Sequence, residues 1–168
     1  MSEVGPELLG RLLDEHGAAL VLYARQWCSS AEDVVQEALI RLARQPRVPD
    51  KLMPWLYRVV RNGAISAARG ARRRHAHETA AAQQADAWFE GGEEVRIDAD
   101  LAARCLESLP MEQREVIVAR LWGGLSFQEI GELTETSSSS AHRWYEAGLR
   151  ALRERLEPSC HGKTNLMS

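Results

Sequence analysis

The clearest chemical signal in this 168-residue chain is the spacing of its arginines. From Pro54 to Arg74 there are six, Arg58, Arg61, Arg69, Arg72, Arg73 and Arg74, and no acid follows until Glu78. Planar guanidinium groups at that density suit phosphate contact, with counterion release from a nucleic acid as the driving force. A second group comprises Ser137, Ser138, Ser139, His142, Arg143 and Glu146. It offers hydroxyls, an imidazole, a guanidinium and a carboxylate on one helical face, groups that hydrogen-bond base edges. A third group, Asp33, Gln36, Glu37 and Ile40, falls at i, i+3, i+4 and i+7, on one side of a helix. Taken alone, that side reads as a solvated face. No Gly-rich phosphate loop, metal-ligand cluster or nucleophile motif accompanies these groups. The residues therefore point to binding, with no catalytic centre, metal or other cofactor.

Each group needs an element to hold it. Residues 109–156 spell a helix-turn-helix. Pro110 suits a first turn, and Val116, Ile117 and Leu121 form an apolar face that Gly123 and Gly124 end. Ser126 stands three residues before Glu129, a capping-box pattern, with Ile130 and Leu133 to be buried. The hydroxyls of Ser137 to Ser140 can then cap a helix whose stripe is Ala141, Tyr145, Leu149, Leu152 and Leu156. Its polar N-terminal turns are the part a recognition helix presents to the major groove.

Upstream, Leu8, Leu9, Leu12 and Leu13 mark one helical piece, and Gly17 is expected to interrupt it before Leu20, Val21 and Ala24 continue a second. Ser30 and Asp33 form another capping-box pattern, opening a helix to Arg44 with Val34, Val35, Ala38, Leu39 and Leu42 on its buried side. Pro46 and Pro49 constrain the following loop, which contains Lys51, and Pro54 restarts a helix. There Trp55, Leu56, Val59, Val60, Ala64, Ile65 and Ala68 oppose Arg58, Arg61, Asn62 and Arg69. The expected fold class is therefore all-α: two small helical domains joined by a flexible acidic linker, the C-terminal one a helix-turn-helix.

The formal charge of −3 argues against a chain that coats nucleic acid along its whole length. The charge is unevenly spread, however. Residues 1–74 carry twelve Lys/Arg against eight Asp/Glu, whereas residues 75–100 carry one against seven. This contrast divides the chain into a domain at 1–74, a linker at 75–98 with a short helix conceivable around Thr79 to Phe89, a domain at 99–157 and a frayed tail at 158–168. Fully extended, a linker of that length spans roughly 80 Å, enough for the domains to reach separate sites. The three cysteines, Cys28, Cys105 and Cys160, are odd in number and far apart, which fits a reducing cytoplasm. No run approaches the roughly 18 apolar residues of a membrane span.

Several of these stretches together resemble the bacterial extracytoplasmic-function (ECF) sigma factors of the sigma-70 superfamily. They are Leu109-Pro110, Gln113-Arg114-Glu115-Val116, Gly124-Leu125-Ser126 with Glu129-Ile130, Leu149-Arg150-Ala151-Leu152-Arg153, Asp33-Val34-Val35-Gln36-Glu37, and Trp55-Leu56-Tyr57-Arg58 with Arg61-Asn62. The resemblance covers residues 7–74 and 99–157. It implies a chain that directs core RNA polymerase to specific promoters. Asp33, Gln36, Glu37 and Ile40 would dock on polymerase. Lys51, Trp55, Arg58, Arg61 and Asn62 would engage the downstream promoter element, where a base is flipped out on melting. Ser137, Ser138, Ser139, His142, Arg143 and Glu146 would read the upstream element. Two positions depart from that family's habit: Ser66 stands where aspartate is frequent, and no aromatic precedes Trp55. The implied partners are core RNA polymerase, promoter DNA and an anti-sigma factor or other inhibitory protein. The acidic linker either imitates nucleic acid within the polymerase or merely aids solubility. Two other functions fit the residues themselves: a stand-alone helix-turn-helix regulator, and a helical adaptor that binds polymerase without reading DNA.

The recognition face has little positive charge of its own. Between Ser137 and Leu149 the one fixed cation is Arg143, and Glu146 lies nearby. The isolated chain is therefore expected to bind duplex promoter weakly, with the linker's acids competing for the N-terminal arginines.

Overall fold

The computed structural model describes residues 4–77 and 104–161, with side chains through residue 157. The expected linker beyond His77, the helix considered around Thr79 to Phe89 and the end of the tail lie outside the described residues. Among the described residues there are six helices of two turns or more and no strand. Helices α1 (Pro6–Ala24), α2 (Ala31–Ala43) and α3 (Leu52–His77) form an N-terminal bundle. Helices α4 (Met111–Leu121), α5 (Phe127–Thr134) and α6 (Ser138–His161) form the C-terminal one, preceded by a helical turn at 104–107.

Gly17 does not interrupt the first helix. Helix α1 runs unbroken through it, with Gly17, Ala19, Leu20, Leu22, Tyr23 and Ala24 all buried. A helical glycine costs only about 1 kcal/mol, and burial of the flanking apolar face outweighs that. Ser30 stands at the N-cap of α2, but its backbone (φ −88°, ψ 40°) leaves the extended region and its side chain makes no capping bond. The second capping box is thus absent. Helix α3 opens at Leu52, two residues before Pro54, and continues to His77, past the expected domain edge at 74. Helix α6 likewise continues past Pro158, where a frayed tail was expected.

The helix-turn-helix follows its sequence signals more closely. The Ser126 hydroxyl accepts from the Glu129 amide at 3.2 Å, and the Glu129 carboxylate accepts from the Ser126 amide at 2.8 Å. This closes the box at the start of α5. Glu135 takes the left-handed conformation (φ 57°) at its end, and the Thr136 amide donates to the Gly131 carbonyl at 2.8 Å. The sharp reversal brings the following strand of backbone onto Gly131, where a β-carbon would sit 2.9 Å from the Thr136 carbonyl oxygen and 3.1 Å from the Ser138 nitrogen.

One apolar core runs through both bundles. It joins Leu20, Val35, Leu56 and Val60 to Val116, Ile117, Leu125, Ile130 and Ala141. Helix α1 packs on α2 and α3, α4 and α5 pack on α6, and contacts of α1 with α4 and of α3 with α5 connect the two halves. Leu121, expected on the apolar face of α4, is instead 54% exposed, while the run Glu115 to Ala119 is buried. A helix covered on two sides, by its own domain and by α1, buries a continuous run of residues where a single stripe was expected.

Ser126→Ala, which removes one half of the capping box, is expected to destabilise the C-terminal bundle by about 1 kcal/mol. Gly131→Ala, whose new methyl meets only backbone, is expected to cost about 1–3 kcal/mol. Thermal unfolding followed by circular dichroism measures both.

Candidate nucleic-acid and protein interface

The third residue group occupies the open side of α2. Asp33, Gln36 and Glu37 are exposed, and Ile40 is 45% exposed, high for a large aliphatic side chain. Asp33 and Glu37 line a groove of about 380 Å³ between α2 and α3, together with Ala38, Arg41, Val59, Gly63 and Ala67. Helices α2 and α3 meet closely there, since a β-carbon on Gly63 would stand 3.1 Å from Val34 Cγ1. Acidic rims over an apolar floor suit a basic, amphipathic partner helix.

On α3 and the loop before it, Lys51, Arg58 and Asn62 are exposed, while Trp55 is partly buried and packs against the core. Arg61 points elsewhere. Its Nε donates to Oε1 of Glu115 on α4 at 2.7 Å, and its guanidinium carbon lies 5.8 Å from the centre of the Trp27 ring. The same Glu115 oxygen accepts from the Tyr23 hydroxyl at 2.6 Å. Side-chain exposure is 22% for Arg61 and 6% for Glu115, so the pair lies largely out of water. Burial, reinforced by the Glu115 charge, pushes the Tyr23 phenol well above its ordinary pKa and keeps it a donor. Burial works against the charge on Arg61, but the Glu115 carboxylate and its hydrogen bond, with Tyr23 and Glu135, outweigh it and raise the pKa. Three rings gather beside the pair, with Tyr23 edge-on to Trp27 at 5.1 Å and tilted against Tyr57 at 4.8 Å.

The second group opens α6. The Ser137 hydroxyl accepts from the Ser140 amide at 3.1 Å and donates to Ser140 Oγ at 3.0 Å, which caps the helix. Arg143 Nη2 donates to Ser140 Oγ at 3.3 Å. Ser138 and Ser139 are exposed on the first turn, and His142 and Glu146 face solvent with His142 Nε2 3.6 Å from Glu146 Oε1. Beside them a second groove of about 380 Å³ gathers Arg120, Arg150 and Arg153 with Phe127 and Tyr145. Arg120 is held by a bond to the Leu125 carbonyl at 2.9 Å and by the Phe127 ring beneath its guanidinium at 4.8 Å. The open face at the start of α6 thus has cations beside it from α4 and from farther along α6.

Sequence reasoning missed Tyr23, Glu115 and Arg120 as members of these surfaces. Glu115 was visible only as part of a run that resembles a family, and nothing local marks a helical glutamate as buried. Arg120 comes near α6 only through the fold. Among the described residues there is no cluster of His, Cys, Asp or Glu able to hold a metal. Cys28 and Cys105 are free, and burial, opposed by hydrogen bonds from Ser30, raises the Cys28 thiol pKa.

The architecture is two helical bundles, the second with a helix-turn-helix opening onto solvent. The family description "Sigma-70 region 2" matches residues 12–74, and "Sigma-70, region 4" matches residues 99–152. The ECF RNA polymerase sigma factor SigL of Mycobacterium tuberculosis is 32% identical over 163 residues, covering 89% of each chain. SigD of Mycobacterium bovis is 32% identical over 125 residues, covering 68% of this chain and 59% of its own. A sigma factor RpoE from Bartonella quintana, solved with the anti-sigma factor NepR, superposes with a TM-score of 0.72 at 22% identity over 91% of this chain and 98% of its own. CnrH, solved with the cytosolic domain of CnrY, gives 0.56 at 22% identity over 92% and 91%. These two share the fold. The chain belongs to the ECF RNA polymerase sigma factors, and it directs core RNA polymerase to promoters.

If α6 lies against promoter DNA, carboxylates at the exposed positions 138 and 139 would repel its phosphates without disturbing the Ser137 cap. The double variant Ser138→Asp, Ser139→Asp is expected to lower promoter-specific transcription at least about tenfold, since like charges at an interface are strongly unfavourable. Its unfolding temperature should match that of the parent, and full transcription by the double variant would exclude α6 from the interface.

Proposed function

We propose a division of labour between the two domains. The first, residues 1–74, docks on core polymerase through Asp33, Gln36, Glu37 and Ile40 and engages the melted downstream element through Lys51, Trp55, Arg58, Arg61 and Asn62. The second, residues 99–157, reads the upstream element through Ser137, Ser138, Ser139, His142, Arg143 and Glu146, with Arg120 as a phosphate contact. The observation that carries this reading is the open N-terminal end of α6. It is capped by Ser137 alone, and the remaining polar groups of its first turns are left facing solvent. A helix in that posture, preceded by a tight turn and a short supporting helix, offers its first side chains and backbone amides to DNA. The chain works in this reading by binding, in the cytoplasm, without chemistry of its own. An inhibitory protein as a further partner is supported by the two structural neighbours, each solved in complex with another protein. Family membership favours this reading over a stand-alone regulator or a polymerase adaptor blind to DNA.

Transcription from a cognate promoter with purified core polymerase tests the whole. Within it, Glu37→Lys separates docking from folding. Charge reversal on the acidic groove is expected to weaken polymerase binding by about 2–5 kcal/mol, and stability should move by less than about 0.5 kcal/mol. A titration in which the variant binds polymerase as tightly as the parent would remove α2 from the docking surface.

A further inference from the structure

Arg61 and Glu115 belong to different functional halves of the molecule. Tyr23 and Arg61 lie within the segment matched to region 2, and Glu115 within that matched to region 4. Their hydrogen bonds therefore tie one domain to the other. On the same stretch of α3, Arg58 and Asn62 stay exposed while Arg61 turns inward to a carboxylate. The tie has further support nearby. Tyr57 of α3 lies against Gly123, where a β-carbon would come within 2.7 Å of the ring, and α3 also touches α5. Glu135, at the end of α5, adds its charge to the field at Arg61.

We propose that Tyr23, Glu115 and Arg61 form an autoinhibitory clasp, in which Glu115 occupies the position on Arg61 that a DNA phosphate would take and holds the two domains together in the free chain. The inference rests on the assignment of Arg61 to the promoter. With its Nε bonded to Glu115 and only 22% of its side chain exposed, the guanidinium is turned into the domain junction, away from the surface where Arg58 and Asn62 would meet a phosphate. Opening releases Arg61, exposes the face of α4 that α1 covers, and lets the two DNA-reading surfaces separate. Glu115 itself then returns to water on the surface of α4, where a charged residue is at no disadvantage. The apparent affinity for DNA is the intrinsic one reduced by the fraction of molecules that are open. Anything that lowers the clasp's strength without touching the DNA face must raise that affinity.

Glu115→Gln keeps the shape and removes the charge, and Tyr23→Phe removes only the hydroxyl that steadies the carboxylate. Two measurements on the full chain are needed: the radius of gyration by small-angle X-ray scattering, and the affinity for a fork-junction promoter DNA with an unpaired downstream element. Both variants are expected to expand the chain, and Glu115→Gln to tighten DNA binding at least about tenfold, as when an open fraction of a few per cent becomes dominant. Transcription at saturating core polymerase should equal that of the parent. If Glu115→Gln does not fold, Tyr23→Phe carries the test through the same two readings. Folded variants with the parent's radius and DNA affinity would overturn the clasp, as would expansion without any gain in DNA binding. Failure of the underlying assignment shows differently: Arg61→Ala would then leave promoter melting by the polymerase complex intact, while Glu115→Gln would still expand the chain.

Discussion

One buried carboxylate stands at the junction of the two halves of this molecule, inside the apolar core they share. Glu115 Oε1 accepts from Tyr23 at 2.6 Å and from Arg61 at 2.7 Å, in a region that the rings of Tyr23, Trp27 and Tyr57 keep largely free of water. Removing an ion pair from water is expensive, and the attraction between the partners offsets that cost only when each is hydrogen-bonded. Here the hydroxyl of Tyr23 supplies the second donor to the carboxylate. The arrangement is sensitive to either partner because the loss of one leaves an uncompensated buried charge, typically about 3–5 kcal/mol. An apolar contact of similar size would hold the domains together with less dependence on any one atom.

That dependence suits a junction that has to come apart. A fully apolar interface exposes hydrocarbon when it opens, at roughly 25 cal/mol for each Å². A polar clasp instead returns two strongly hydrated groups to water, which recovers much of what their burial cost. The clasp lies within the apolar core that the two bundles share, so parting them also exposes hydrocarbon, a cost that binding to a partner has to offset. The placement of Arg61 connects this to function, because the ligand that competes best with a carboxylate for a guanidinium is another oxyanion. In the proposed clasp, one glutamate on α4 competes with DNA for Arg61, alongside the competition expected from the acidic linker.

Much of the local structure was legible in the sequence. The Ser126 and Glu129 box, the break at Gly123 and Gly124, and the stripe beginning at Ala141 are short-range signals, and each forms where its residues require. The open face of α2 was legible for the same reason, since period alone puts Asp33, Gln36, Glu37 and Ile40 opposite Val35, Ala38 and Leu42. Readings that weighed a single residue against its tertiary setting fared worse. Gly17 has a poor helix propensity, but the core on both sides of it holds the helix straight. Ser30 has the right type for a cap but the wrong backbone angles. Leu121, expected on the apolar face of α4, is 54% exposed, while Glu115, which no local signal marks, is buried on the helix that α1 packs against. Tyr23 and Glu115 are 92 residues apart, and no periodicity carries information over that distance.

The two surfaces proposed to face DNA differ in how they obtain charge. Helix α3 carries its own arginines, and guanidinium groups suit a melted strand, which presents phosphates and unstacked bases together. The first turns of α6 carry mostly hydroxyls, groups able to hydrogen-bond base edges without attracting every duplex equally. Its cations lie to the side, at Arg120, Arg150 and Arg153, where the phosphate backbone of a docked duplex would run. Arg120 is anchored by the Leu125 carbonyl and stacked on Phe127, so it meets a phosphate with little side-chain freedom left to lose. In the proposed reading, specificity and affinity are separated in space on the C-terminal domain and overlap in the same residues on the N-terminal one, where the Glu115 carboxylate holds Arg61 in the closed form.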